Sequence, residues 1–262
     1  MVGRAYPNDG YRAFPSTSKR EFPIFGSDVA GPPVDSLFSD VSLLLHCNGS
    51  NASTTIIDDS SNGFTMTANG NAQLETAINK FGTASLLFDG TSDDIDTTSD
   101  DPAFTLGSGD FTIECFVYFP ASPSGNRQFI NQVTNTSNQI SFIFRYDSGN
   151  RLAFYYSTSG SSFLSTLQNG TWSPSVETWY HVAVCRDGNN LRLFIDGTQV
   201  NTTKDVTGLT IFDSNQPLRI GGLLWSGSII EVLDGNIDEV RMTLAARYTT
   251  NFTPPTLPFP DQ

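Results

Sequence analysis

Residues Trp179 to Gly197, WYHVAVCRDGNNLRLFIDG, constrain the fold more than any other stretch of this chain. Val182 and Val184 alternate with His181, Ala183 and Cys185, while Leu191, Leu193 and Ile195 alternate with Arg192 and Phe194. Successive side chains of a strand point to opposite faces, so each run presents one apolar face to a core. Asp187-Gly188-Asn189-Asn190 and Asp196-Gly197 supply the reversals, with the Asp-Gly pairs that tight hairpins favour. The stretch therefore reads as a β-meander.

The same period recurs at SLLLHC (42–47), ASLLFDG (84–90), FTIECFVYF (111–119), LRIGG (218–222) and IDEVRMTL (237–244). FTIECFVYF sets Phe111, Ile113, Cys115, Val117 and Phe119 on one side and Thr112, Glu114, Phe116 and Tyr118 on the other. ISFIFRY and RLAFYYS flank the turn Asp147-Ser148-Gly149-Asn150, so Ile140, Phe142, Phe144 and Tyr146 are expected to meet Leu152, Phe154 and Tyr156 across the pair. Only ETAINKF (75–81) and LAARYTTNF (244–252) have the residues for helical turns. Many short strands with almost no helix predict an all-β fold, a two-sheet antiparallel jelly-roll sandwich over residues 41–262.

Residues 1–40 are different. Pro7, Pro15, Pro23, Pro32 and Pro33 remove backbone donors at intervals and disfavour helix and central strand, which predicts an extended N-terminal arm. Its aromatic residues are too numerous for an inert linker. The formal net charge of −13 is uneven, because Arg4, Arg12, Lys19 and Arg20 face Asp9 alone in the first 20 residues. A basic arm on an acidic body suits docking onto an acidic surface, with Arg4, Arg12, Lys19 and Arg20 meeting carboxylates and Phe14, Phe22 and Phe25 filling apolar pockets. A solvated tail is the other reading. The acidic body would repel phosphate backbones, which argues against nucleic acid as a partner. No apolar run reaches the roughly 18 residues of a membrane span, and the first residues lack a secretory apolar core. Neither membrane insertion nor export is expected.

Cys47, Cys115 and Cys185 lack metal-site spacing and are expected to be reduced. His46 and His181 both sit in strand-like runs, and no Gly-x-Ser-x-Gly elbow occurs. Glu231 with Asp234, and Asp238 with Glu239, are the nearest carboxylate pairs. Adjacent strand residues face opposite ways, so Asp238 and Glu239 are not expected to share a substrate.

FGTASLLFDG (81–90), GDFTIECFVYF (109–119), the meander at 179–197, LRIGG (218–222) and GNIDEVRMTLAARYTTNFTPPTLPFP (235–260) together resemble the laminin-G-like branch of the concanavalin A-like jelly rolls. The closing phrase ARYTTNFTPPTLPFP (246–260) is most similar to copies in bacteriophage virion and tail proteins and bacterial surface proteins. Glucanases of that superfamily carry a strand-borne Glu-x-Asp-x-x-Glu. No such spacing occurs in this sequence, so the resemblance implies a non-enzymatic member. It implies two places for ligands. One Ca2+ at the sandwich rim would fall to Asp93, Asp94 and Asp96, with a solvated acidic loop as the alternative. A glycan groove would draw on Asn138, Tyr155, Trp172 and Trp225, with simple edge covering as the alternative. The pentraxin-like acidic loop is replaced here by GLLWSGSII (222–230).

Two functions follow from the resemblance. The first is a capsid decoration protein displayed on a virion, its arm stapled to a major capsid protein, to tail subunits or to copies of itself. The second is an adhesion module that recognises a host-surface glycan.

Overall fold

The computed structural model describes residues 1–3, 34–163, 165–168 and 171–262. The chain divides after Pro32, and Pro33–Gln262 is the head described below. Among the described residues the head is two antiparallel sheets and a small hairpin.

Strand Phe111–Tyr118 lies at the centre of the nine-stranded sheet, between Trp179–Asp187 and Asp234–Thr243. Asn190–Ile195 and Thr198–Gln199 extend it on the first side, Ser85–Asp89 and Gln73–Glu75 on the second. Val41–Leu45 pairs with Asp234–Thr243, and Lys204–Asp205 with Asn190–Ile195. The seven-stranded sheet runs in the order Ser165–Gln168, Arg151–Tyr156, Gln139–Asp147, Arg127–Thr134, Arg219–Ile220, Asp94–Asp96, Thr67–Asn69. Leu223–Trp225 and Ser228–Ile230 form the hairpin.

The meander forms as its sequence predicts. Val182 pairs with Ile195 and Asp187 with Asn190, which leaves Gly188-Asn189 as a two-residue turn. Asp196 and Gly197 turn the chain again with φ of 47° and 72°, the doubly left-handed geometry that matches strand twist. A Cβ on Gly197 would lie 2.0 Å from the Phe252 carbonyl oxygen, so the closing segment can cross this turn only over a glycine.

Between the sheets, Phe111, Ile113, Cys115, Val117 and Phe119 meet Phe142, Phe144, Tyr146, Leu152, Phe154 and Tyr156 in one buried cluster. Phe142 and Phe154 stack with centroids 5.8 Å apart. Burying each such ring contributes roughly 1.5–3 kcal/mol, so this row of aromatics dominates the cohesion of the sandwich. Ile140 departs from the expected pattern. The partner of Gln132 is Phe142 and that of Val133 is Ile140, so Ser141 is an extra residue in its strand. That bulge turns Ile140 outward, to pack with Val133, Ile143 and Leu223.

Neither expected helical turn forms: residues 75–81 and 244–252 contain strand ends and bends, and the short 3₁₀ turns lie at Phe38–Asp40 and Pro102–Phe104. Residues 34–40, which composition grouped with the arm, belong to the head. The Asp35 amide donates to the Gln262 carbonyl at 2.7 Å, and Phe38 packs beside Val41 and Phe259. Cys47, Cys115 and Cys185 are buried free thiols.

Candidate functional site

A ligand can reach a sheet only through a face that the chain leaves uncovered, and the nine-stranded sheet is covered on both. Its outward residues Phe116, Ala183, Cys185 and Phe194 are buried beneath residues 244–259. Tyr248 and Phe252 stack at 3.6 Å and 6° over Phe194, and Phe259 fills a pocket with Val41, Leu44 and Phe116. The buried polar groups beneath this cover bind mainly one another, and among the described residues His181 Nδ1, alone of the two ring nitrogens, has no partner. Glu114 accepts from Arg241 Nε at 2.9 Å and from Tyr248 Oη at 2.7 Å, and lies 2.9 Å from His181 Nε2. Asp35 binds Arg247 Nη2 at 2.7 Å and Arg241 Nη1 at 3.3 Å. Burial alone would raise the Glu114 carboxyl, but Arg241 and His181 outweigh it and hold the group at about 2.

Asp238 and Glu239 lie under the same cover, and their geometry corrects the sequence reading. The register slips between Asp238 and Arg241, and Glu239 takes φ of 50°. This bulge breaks strand alternation, so both carboxylates point outward. Asp238 Oδ2 accepts from the Lys80 and Phe81 amides at 2.7 and 3.0 Å, while Glu239 lies 3.0 Å from His46 Nδ1 and accepts from the Phe259 amide at 2.9 Å. Burial, reinforced by Glu239 and opposed by those amides, pushes the Asp238 carboxyl up to about 7. Both residues are fully buried, so the pair faces no substrate.

The outer face of the seven-stranded sheet is where the sequence-predicted residues gather. Tyr155 and Trp225, with Phe163, rim the apolar patch of Val133, Ile140, Ile143 and Leu223, and all three rings are partly exposed. Trp225 is carried by the hairpin, whose Ser226 amide donates to Asn135 Oδ1 at 2.7 Å while Asn135 Nδ2 donates back to Ser226 Oγ at 2.8 Å. At the hairpin's base Glu231 has φ of 52°, a left-handed conformation that non-glycine residues adopt only when their surroundings enforce it. The enforcement is visible. Its carboxylate accepts from Asn126 at 2.6 Å, Gln128 at 2.6 Å and Arg145 at 2.7 Å, and its carbonyl accepts from the Gln128 amide at 3.0 Å.

Arg145 ties this hub to the ring platform. Its guanidinium carbon lies 4.5 Å from the Tyr155 ring centroid, and Asp147 accepts from both Arg145 at 3.1 Å and Tyr155 Oη at 2.5 Å. Burial would raise the Asp147 carboxyl, yet Tyr155, the Gly149 amide and two arginines hold it well below the ordinary range. Asn138 sits apart, exposed in the turn after Arg127–Thr134 with φ of 58°.

Trp172 is not part of this face. It is 7% exposed and packs edge-on against Phe119, Tyr146 and Tyr180 at 6.1, 5.7 and 5.5 Å. Its polar neighbours in NGTWSPS suggested a surface ring, but the loop folds the indole back under the end of the sandwich.

The three aspartates of the expected cation site are likewise engaged internally. Asp93 accepts from the Asn71 amide at 2.6 Å and the Asp89 amide at 2.8 Å. Asp94 and Asp96 both bind Arg219, the second at 3.0 Å. A guanidinium occupies the place where a cation would have to sit, so this loop does not match the expected Ca2+ site. Among the described residues no group of three or more His, Cys, Asp or Glu side chains is arranged to hold a metal ion. The arm residues Arg4, Arg12, Phe14, Lys19, Arg20, Phe22 and Phe25 lie outside the described residues. Among the described residues no helix is long and apolar enough to cross a membrane.

A family model described as the concanavalin A-like lectin/glucanases superfamily matches residues 89–247. No curated protein matches the sequence. Among solved structures, the receptor binding domain of botulinum neurotoxin D superposes with a TM-score of 0.60 at 15% identity, over 80% of this chain and 50% of that one. A structure of botulinum neurotoxin type C, whose cell entry depends on interaction with two ganglioside molecules, gives 0.57 at 16% identity over 80% and 49%. Domain 4 of an extracellular arabinanase from Geobacillus stearothermophilus, in complex with arabinotriose, gives 0.55 at 15% identity over 79% and 93%. The chain spans about half the length of the toxin binding domains it matches.

Proposed function

Because the chain belongs to the concanavalin A-like lectin/glucanase superfamily, we propose that its head is a carbohydrate-binding module that works by adhesion, without a catalytic step. One observation carries the reading: Tyr155 and Trp225, 70 residues apart in sequence, are two partly exposed rings at one patch on the outer face of the seven-stranded sheet, beside the cluster in which Asn126 and Arg145 hold the Glu231 carboxylate. Sugars are bound by that combination, because their C–H faces stack on aromatic rings while planar side chains take their hydroxyls. Arg145 and Arg151 balance Asp147 and Glu231 around the platform, and the chain as a whole is acidic. A neutral glycan fits this field better than a sialylated or sulfated one. The ligands named for the arabinanase domain and the type C toxin support the carbohydrate class. The sequence also lacks the Glu-x-Asp-x-x-Glu of the glucanases.

The setting we propose is a virion surface, with the basic aromatic arm docked on a capsid or tail subunit. The likeness of residues 246–260 to copies in bacteriophage virion and tail proteins supports it. Removing residues 1–32 is expected to leave a folded head that no longer sediments with particles; unchanged incorporation refutes the virion part alone.

A neutral-glycan array followed by calorimetry tests the binding part. Trp225→Ala and Tyr155→Ala should each remove one stacking contact worth about 1–1.5 kcal/mol, or roughly tenfold in affinity. Failure of the intact protein to bind any neutral glycan, or binding by both variants as tight as that of the intact protein, refutes it.

A further inference from the structure

At the end of the sandwich, beyond the turn Asp147–Asn150, the fold encloses a cleft of about 200 Å³ lined by Ser122, Pro123, Tyr146, Asn150, Ser173 and Pro174. We infer that this cleft is a second binding site, separate from the ring platform, and that it takes one neutral pyranose or furanose ring. The cleft is smaller than the roughly 300 Å³ at which sites for drug-sized ligands begin, so it suits a single ring rather than a chain.

Its chemistry selects the class. None of the six lining residues is charged, which leaves no partner for a carboxylate, sulfate or ammonium group. Tyr146 Oη donates to Asn150 Oδ1 at 2.9 Å, and this bond fixes which way the Asn150 amide points. With its oxygen taken by the floor of the cleft, the amide has its two N–H donors left for acceptor hydroxyls. Ser122 and Ser173 are exposed and add groups that both donate and accept. Pro123 and Pro174 supply the apolar surface that the C–H face of a sugar needs.

The site is also built on rigid elements. Tyr146 is 2% exposed and packs edge-on with the buried Trp172 ring at 5.7 Å. The Trp172 amide donates to the Asn150 carbonyl at 2.6 Å, which locks the loop bearing Ser173 and Pro174 to the turn bearing Asn150. Trp172 thereby serves recognition from below, as a support, instead of touching the sugar. The turn joins the two sites, since Asp147 accepts from Tyr155 on the platform while Asn150 faces the cleft. One glycan crossing the turn can hold both, and the second contact then forms at high effective concentration.

The test is an NMR titration of the isotope-labelled full chain with methyl glycosides of glucose, galactose, mannose and arabinose, up to about 100 mM, where sites of weak affinity saturate. The expected result is a saturable shift of the Asn150 side-chain amide and the Ser173 amide with at least one neutral glycoside, retained in Trp225→Ala. Asn150→Gly keeps the left-handed turn and removes the donors, and should weaken that binding at least tenfold. Ser122→Phe places a ring across the mouth from an exposed loop position and should do the same with an unchanged melting temperature. No shift at Asn150 and Ser173 with any of the four glycosides, or a shift that survives both substitutions, overturns the inference. The Trp225 indole signal reports the platform in the same spectra, so loss of one site is read separately from loss of the other.

Discussion

Replacing Trp172 with alanine separates a supporting ring from a contacting one. The indole is 7% exposed and touches three aromatic rings, at 6.1 Å from Phe119, 5.7 Å from Tyr146 and 5.5 Å from Tyr180. A buried Trp→Ala change costs about 3–5 kcal/mol, because transfer energy is lost and the surrounding rings cannot close the void. For a domain of this size each kcal/mol lowers the melting temperature by roughly 2–4 °C, so the expected loss is on the order of 6–20 °C. The backbone bond from Trp172 to Asn150 survives the substitution, so the loss belongs to packing. Trp225, half exposed on its hairpin, has fewer contacts to lose, and Trp225→Ala should cost under about 1 kcal/mol. Urea denaturation followed by tyrosine fluorescence and circular dichroism measures both. A Trp172→Ala variant destabilised by less than about 1 kcal/mol would refute the placement of the indole in the core.

Stability should fall as pH rises from about 5 to 8. The folded Asp238 carboxyl titrates near 7, whereas in the unfolded chain it ionises near about 3.9; between those values the folded head holds a proton the unfolded chain has released, so unfolding is favoured as protons are withdrawn. His46, raised by Glu239 against the opposing effect of burial, favours its protonated form in the fold and loses that contribution over the same rise. Denaturation midpoints at several pH values check the slope; Asp238→Asn should flatten it, and a midpoint that climbs with pH contradicts the argument. Glu231→Gln should leave the sandwich folded while hydrogen exchange of residues 223–230 accelerates several-fold, since the hairpin base loses its ion pair to Arg145, which keeps Asp147; unchanged protection would remove Glu231 as the hairpin's clamp. Millimolar Ca2+ or a chelator should leave the melting temperature unchanged, because Arg219 holds Asp94 and Asp96; a calcium-dependent rise would show that the ion displaces the guanidinium.

The inward residues of the meander and of Phe111–Tyr118 were legible because strand alternation is local, and the structure puts Val182, Val184, Leu191 and Leu193 in the core. The outer face of the same sheet carries its own signal in the sequence. Phe116, Ala183, Cys185 and Phe194 sit at outward positions, and a run apolar on both sides announces a covered sheet. Residues 244–259 are that cover, which explains why LAARYTTNF is extended: its rings are spent on the sheet instead of on a helix. Two bulges, at Ser141 and at Asp238-Glu239, were invisible because register is decided by a partner strand far away in sequence. The aspartates at 93–96 looked like cation ligands for a related reason, since Arg219 comes to them from 125 residues downstream. Tyr155 and Trp225 could be nominated singly from their residue types, but only the hairpin fold brings them to one patch.

The bond between the Asp35 amide and the Gln262 carbonyl leads to an expectation about how the head yields when residues 35 and 262 are drawn apart. Tension drawn between the two ends parts that bond first and then peels the closing segment, contact by contact, from the nine-stranded sheet. Peeling breaks bonds in sequence, so it needs far less force than sliding whole strands past one another. The ladder of the seven-stranded sheet lies off this path, and whatever is held on its face stays held while the opposite side yields.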